Sequence, residues 1–353
     1  MDGFLPKLAW LTTNHTCNLH CHWCYQREIS GGEKVMPKKL VSDLICLLAD
    51  LGLREVILIG GEPTIHPLFL TINEMLRGRG VLPRIITNSL RFSDRDFVRR
   101  AESAGVDTVI TSVKGFSEEE YVKGTGIRGF AKVEQAIENL DNSGIKHRIS
   151  ITITSDTIAS WQKIIAFMGR HQTKDYGFSF EKPCIIGDDV VFDNGLLPMS
   201  IAALIEFIIY PTLSSTGIPF KIDAMFPQCQ LPNEFWEKLE REGKVFSGCH
   251  LMGHNSVIFD PDGQVLPCNH LITQPLAKFG IDFSTAEQYL AWRKNYAVSH
   301  SYALASSPPC ERCAKCERWS KCGAGCRLFW LFKGPDVLLP QVLKEEDYLY
   351  STS

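Results

Sequence analysis

Hydrophobic positions along the chain keep two rhythms. Six short apolar runs read as buried strands: LAWLTT at 8–13, EVILIGG at 55–61, RIITNS at 84–89, VDTVITSV at 106–113, HRISITIT at 147–154 and GFSFEKP at 177–183. Between them apolar residues recur at helical spacing, as Leu40, Leu44, Leu47 and Leu48 do within 37–51. Further helices are expected from near Pro67, around 93–104, at 130–143 and at 158–170. Strand and helix alternate six times, which predicts parallel strands joined by helical crossovers. The fold class is therefore α/β, and six units fit a partial (β/α)6 barrel; spacing alone leaves a doubly wound sheet open. In complete β/α barrels the chemistry sits at the C-terminal strand ends. Here those ends carry a cysteine triplet, then Gly60-Gly61-Glu62-Pro63, Thr87-Asn88-Ser89, Ser112-Val113-Lys114, Thr154-Ser155 and Glu181-Lys182.

After residue 184 the rhythm stops. One helix is expected at 199–213 and a short strand at 219–223. SVIFDPDGQVLPC at 256–268 reads as a hairpin turned by Pro261-Asp262-Gly263. The chain thus divides into a barrel at 1–183, a bridging region at 184–248 and a small Cys-rich domain with a tail at 249–353. It shows no internal repeat and no low-complexity linker.

Composition narrows the classes. The 353 residues are 44% hydrophobic and 22% charged, which excludes disorder and collagen. With 37 Lys+Arg against 40 Asp+Glu, the balance argues against nucleic acid as the main partner. The N-terminal MDGFLPK lacks the cationic segment of a secretory signal. The longest apolar stretch, Ile201 to Leu213, is interrupted by Glu206 and Pro211 and reads as too short for a bilayer. The expectation is a cytoplasmic protein without a membrane partner. In that reducing compartment 13 cysteines make a poor disulfide framework and a good metal inventory.

The cysteines cluster. Cys17-x3-Cys21-x2-Cys24 follows the first strand and offers three thiolates. A structural zinc normally takes four ligands, so zinc would need His15, His20 or His22 as well. A 4Fe–4S cluster held by three cysteines keeps one iron open for a small molecule. With the aromatic Trp23 before the third cysteine and Gly60-Gly61-Glu62-Pro63-Thr64 at the next strand end, the first 180 or so residues resemble the radical S-adenosylmethionine (SAM) superfamily. The resemblance implies a cluster on Cys17, Cys21 and Cys24 and the reductive cleavage of SAM to a 5′-deoxyadenosyl radical. It implies that Gly60, Gly61, Glu62 and Pro63 line the methionine part, that the Trp23 backbone lies by the adenine, and that Asn88 and Ser112 contact the ligand. Lys114 stands where many peptide-modifying members have Asp; it pairs with the SAM carboxylate or is a solvated lysine at the barrel rim. Gly124-Thr-Gly126-Ile-Arg-Gly129 matches G-x-G-x-x-G, but no buried strand precedes it, so a turn is expected and the acidic run at 118–120 is a solvated face or a helix start.

Cys249-x13-Gly263-x4-Cys268, followed by Cys313-x2-Cys316-x5-Cys322-x3-Cys326, is similar to the SPASM extension of radical SAM enzymes, which houses auxiliary 4Fe–4S clusters. Two complete sites need eight thiolates and this tail has seven. Cys310 is a candidate for the missing role, as are an open iron or His250, His254 or His270. A single auxiliary cluster, as in the twitch variant, and a zinc ribbon on Cys310, Cys313, Cys316 and Cys322 also stay open. Of the remaining cysteines, Cys46 fits the packing of a helix. Cys184 and Cys229 are candidate hydrogen donors for an epimerase, or else buried thiols or extra ligands. Glu181, Asp188, Asp189 and Asp223 are candidate bases for a crosslinking or oxidising route.

The expected function is hydrogen abstraction from a peptide or small-protein residue in peptide maturation, with flavodoxin or ferredoxin as electron donor. Alternatives are a radical dehydrogenase of a small alcohol or amino sugar, a glycyl-radical activase, and a non-enzymatic iron–sulfur electron carrier. The seven residues before the first strand leave no room in this chain for an N-terminal leader-gripping domain.

Overall fold

The computed structural model describes residues 5–26, 34–173, 175–186, 188–249, 251, 255–297 and 307–339. Each expected strand forms: β1 (Leu8–Thr12), β2 (Glu55–Ile59), β3 (Leu82–Thr87), β4 (Thr108–Val113), β5 (Lys146–Ile153) and β6 (Tyr176–Phe180). Between them run α1 (Lys38–Asp50), α2 (Phe69–Gly78), α3 (Arg95–Ser103), α4 (Glu118–Thr125), α5 (Phe130–Asp141), α6 (Ser155–Ala159) and α7 (Trp161–Arg170). The β2 run Val56, Ile57 and Leu58 is wholly buried, as parallel strands covered by helices require. The helix expected at 158–170 is two, because Thr154 and Thr157 form a reciprocal cap that starts α6 earlier.

Beyond β6 come the hairpin β7 (Cys184–Ile186) and β8 (Asp189–Val191), then α8 (Pro198–Thr216), β9 (Phe220–Asp223), β10 (Val245–Phe246), β11 (Ser256–Phe259), β12 (Gln264–Leu266) and β13 (Ala277–Lys278). Eleven strands make one sheet in the order β10-β9-β6-β5-β4-β3-β2-β1-β11-β12-β13. Pairing is parallel from β10 to β11 and antiparallel beyond. The hairpin expected at 256–268 is therefore welded to the barrel: Leu8 pairs with Ser256 and Leu11 with Phe259. The boundary expected at 248/249 falls between strands near opposite edges of that one sheet.

α8 departs from expectation. It runs through Glu206 and Pro211, because a wider π-turn at Ile205–Ile209 precedes the proline, whose missing N–H would break a regular helix. By length and composition it meets the requirement for a membrane span. Its inner face, Ile201, Ile205, Ile209 and Leu213, is packed in the core with Phe178 and Ile222 of the sheet, while Met199 and Phe207 on its outer face are exposed.

Candidate active site

The C-terminal ends of β1 to β6 open into a cavity of about 550 Å³. Cys17, Cys21 and Cys24 lie on its wall, on the loop leaving β1. That loop is held by the end of β2: Gly61 N donates to Asn14 O at 2.7 Å and Glu62 N to Thr16 O at 2.8 Å. The two glycines are needed here for close approach. A Cβ on Gly60 would lie 2.4 Å from Asn14 O, and one on Gly61 would lie 2.2 Å from Thr16 O. The side that a Cβ would fill is thus taken by the cysteine loop itself.

Glu62, almost wholly buried, ties β2 to β3. Its Oε1 accepts from Thr64 N (3.0 Å), Thr64 Oγ1 (2.6 Å) and Thr87 Oγ1 (2.6 Å), and its Oε2 from Asn88 N (2.8 Å). Burial raises its pKa and these hydrogen bonds oppose the rise. Much of its acceptor capacity is therefore spent within the protein. Gly60, Gly61, Glu62, Asn88, Ser112, Lys114 and Trp23 all line the cavity, whereas Pro63 starts the 3-10 turn Pro63–Ile65 behind it. Asn88 Nδ2 also donates to Asn18 Oδ1 at 2.7 Å, fastening the cysteine loop to β3. Lys114 Nζ sits 5.8 Å from the centre of the Trp23 ring. The acidic run at 118–120 is the first turn of α4, and Gly126 is its left-handed C-cap. Gly124, in the last turn of α4, gives way to Trp23, whose Cη2 would lie 2.8 Å from an added Cβ.

The far wall carries Thr152, Ser179, Glu181, Lys182 and His270. Lys182 Nζ donates to Asp223 Oδ2 at 2.7 Å. Burial alone would lower the Lys182 ammonium, but Asp223 and the Cys326 and Cys268 sulfurs hold its pKa above the ordinary value. Burial and Lys182 push His270 down to about 3, so its ring is neutral, and it lies 5.1 Å from the Tyr25 ring. Among the expected bases only Glu181 lines the cavity; Asp188 and Asp189 are exposed at the β7–β8 hairpin, and Asp223 lies behind Lys182. Sequence reasoning missed His270 as a wall residue. Its signal was weak, a histidine two residues after Cys268.

Neither candidate hydrogen donor lines the cavity. Cys184 is buried in the β7–β8 hairpin, its Sγ 3.8 Å from Val191 O. Cys229 belongs to a loop packed on the Cys-rich tail, where Gln228 N donates to Cys322 Sγ at 3.2 Å. A thiol must reach the substrate carbon to return a hydrogen atom, and neither residue is placed to do so from the wall of this cavity. Cys46 is half-buried within α1.

The tail cysteines influence one another's thiols. Cys326, pushed up to about 12 by burial, also feels Cys268, Lys182 and Cys249. Cys313, pushed up to about 12 by burial, also feels Cys310, Cys229 and Cys322; Cys322 in turn feels Cys316. His250 and His254 lie outside the described residues.

Residues 11–168 match the radical SAM superfamily. This chain carries a radical SAM domain. A probable GTP 3′,8-cyclase of Saccharolobus islandicus is 26% identical over 135 residues, 38% of this chain and 44% of the relative. A GTP 3′,8-cyclase of Psychromonas ingrahamii is 25% identical over 217 residues, 55% of this chain and 63% of the relative. The matched stretch thus spans less than two thirds of these relatives. Two solved structures share the fold across nearly the whole chain. Native anSMEcpe with bound AdoMet has a TM-score of 0.68 at 18% identity, covering 94% of this chain and 93% of that one. Streptococcus suis SuiB bound to precursor peptide SuiA has a TM-score of 0.71 at 14% identity, covering 95% and 75%.

The radical SAM domain uses SAM and a 4Fe–4S cluster, and the Cys-rich tail fits auxiliary clusters of the SPASM/twitch type. The structure bears on the fit. Three thiols share one wall of the cavity, and among the described residues His15 Nδ1 and His270 Nδ1 are buried there without a hydrogen-bond partner. Among the described residues no three His, Cys, Asp or Glu side chains gather as a lone metal ion requires. An iron–sulfur cluster spreads its thiolates over several irons. Cys17 is pushed up to about 12 by burial, so binding iron must displace its proton.

Proposed function

We propose that the chain is a radical SAM enzyme acting on a residue of a peptide or small protein. The observation that carries this reading is the single cavity with two unlike walls. One holds Cys17, Cys21, Cys24 and the Gly60–Glu62 strand end; the other holds Glu181, Lys182 and His270 next to the Cys-rich tail. In this reading Cys17, Cys21 and Cys24 hold the cluster, and Gly60, Gly61, Asn88 and Ser112 seat the SAM. When bound, SAM at the reduced cluster supplies hydrogen-atom abstraction. The protein's part is positioning and proton handling. Asn88 and Glu62 lock the cysteine loop to the strand ends. Lys182, braced by Asp223, offers a cation to a substrate carbonyl or carboxylate. Glu181, buried on the same wall, is placed to accept a proton in an oxidising or crosslinking route. An electron donor such as flavodoxin or ferredoxin belongs to the same reading.

Two solved neighbours hold peptides, SuiB with SuiA and anSMEcpe with Kp18Cys, and their likeness extends over 95% of this chain. The GTP 3′,8-cyclase likeness stops at 38–55% of it. The test is turnover of anaerobically reconstituted protein with dithionite, SAM and either a peptide library or GTP in D2O. Formation of 5′-deoxyadenosine that is lost in Cys17→Ala, with a mass change in a peptide, supports the reading. A loss of two hydrogens indicates oxidation or a crosslink, and a gain of about one unit at Cα indicates epimerisation. Conversion of GTP with every peptide unchanged overturns it.

A further inference from the structure

We infer that Cys229 is a thiolate ligand of the second auxiliary site, beside Cys313, Cys316 and Cys322. The inference rests on the reading that the Cys-rich tail holds auxiliary iron–sulfur clusters.

Two segments distant in sequence are joined here. The loop after β9, residues 224–232, lies against the turn at 322–326. Gln228 N donates to Cys322 Sγ at 3.2 Å, and Cys326 N donates to Met225 O at 2.9 Å. Gly325, at φ +70°, has Phe226 backbone atoms 2.5 Å from where a Cβ would stand. That contact and the positive φ both demand glycine there. The loop is also anchored on the core side: Phe226, Gln228 and Leu231 are buried, and Phe226 meets Trp236 edge-on at 6.0 Å. A 3-10 turn over Gln228–Gln230 then turns Cys229 outward between two buried neighbours, Gln228 and Leu231. Cys229 is exposed, as is Cys316.

The loop that carries Cys229 is thus fixed against Cys322, on the turn that follows Cys313 and Cys316. The corners of a four-iron cube point in four directions, so a fourth ligand from a separate segment suits it. Cys310 is the N-cap of the short helix Glu311–Ala314, which carries Cys313. Cys229 approaches on a separate segment, the one bonded to Cys322. This makes Cys310 the spare thiol and Cys229 the fourth ligand of the second site, and leaves Cys249, Cys268 and Cys326 for the first. Coordination forms one Fe–S bond and releases the Cys229 thiol proton to water, with no change of oxidation state.

The experiment uses the full chain with Cys17, Cys21 and Cys24 changed to Ala, so that only auxiliary clusters report. Cys229→Ser and Cys310→Ser are added singly, and thermal unfolding of each variant confirms folding. Iron and sulfide per chain are measured after anaerobic reconstitution, together with EPR of the reduced protein. Cys229→Ser is expected to shift the EPR g-values or to lose about four irons per chain, while Cys310→Ser matches the parent. Parent-like iron content and EPR in Cys229→Ser overturn the assignment. No iron in the parent triple variant overturns the auxiliary-cluster reading itself, a result distinct from the first.

Discussion

Gly61→Ala tests whether the strand end after β2 is glycine because the cysteine loop lies on it. The new Cβ would stand 2.2 Å from Thr16 O and 2.4 Å from His15 O, where ordinary contact begins at 3.4 Å. The loop must therefore retreat by about 1.2 Å, since both atoms are backbone and neither can rotate aside. A retreat of that size breaks the bonds from Gly61 N to Asn14 O and from Glu62 N to Thr16 O, now 2.7 and 2.8 Å. Two hydrogen bonds at about 1 kcal/mol each, plus about 1–3 kcal/mol for overpacking, give a loss of about 3–5 kcal/mol. Cys17 is next to Thr16 and moves with it, and a misplacement of about 1 Å in a catalytic array costs on the order of 100-fold in rate. The assay is denaturant unfolding under anaerobic conditions, paired with the rate of 5′-deoxyadenosine formation. Gly78→Ala is the control, because an added Cβ there meets nothing within 4 Å. It is expected to be neutral or to stabilise by about 0.4–1 kcal/mol. If Gly61→Ala unfolds at the same denaturant concentration as the parent and cleaves SAM within twofold of its rate, the reasoning about the shelf is wrong.

Other outcomes follow from the same geometry. Glu62→Ala strips the acceptor from two buried N–H groups and two hydroxyls, so SAM-free protein should lose about 3 kcal/mol in urea unfolding; unchanged stability would mean that the carboxylate serves only the cofactor. For Glu120, burial would raise the carboxyl, but Lys163, Ser160 and the Phe116 amide outweigh it and hold the pKa below its usual 4.5. A carboxyl with a depressed folded pKa stabilises above the unfolded pKa and loses that contribution as pH falls through the folded one. Stability of the parent should therefore decline more steeply below pH 4.5 than that of Glu120→Gln, and parallel pH profiles would refute this. Leu213→Ala, on the buried face of α8, should cost about 2–5 kcal/mol, while Phe207→Ala, 72% exposed on the same helix, should stay within about 0.5 kcal/mol. Equal losses at both positions would contradict the packing of α8 against the sheet.

The strand and helix rhythm was legible because each element is specified by residues close in sequence. An apolar run such as Val56-Ile57-Leu58 carries its own burial, and Ser117 with Glu120 carries the start of α4. The cysteine triplet and the Gly60-Gly61-Glu62 end were legible for the same reason, since both fall at strand ends that the rhythm locates. Their physical roles were less so. The glycines read as room for a ligand, and the structure fills the Cβ side with the loop at 14–16. Glu62 read as lining the methionine part of SAM, and its carboxylate is largely taken by Thr64, Thr87 and Asn88.

By itself, then, the sequence determined the six β/α units, the three thiols after β1 and a Cys-rich tail one thiolate short. Tertiary structure alone decided that β11 lies beside β1, that α8 continues through Pro211, that His270 joins the cavity and that the Gln228 amide meets the Cys322 sulfur 94 residues onward. Local pattern fixes which elements form, because burial and backbone preference act over a few residues. Which side chains meet across 94 residues depends on how the finished sheet folds the chain back, and no local signal records it.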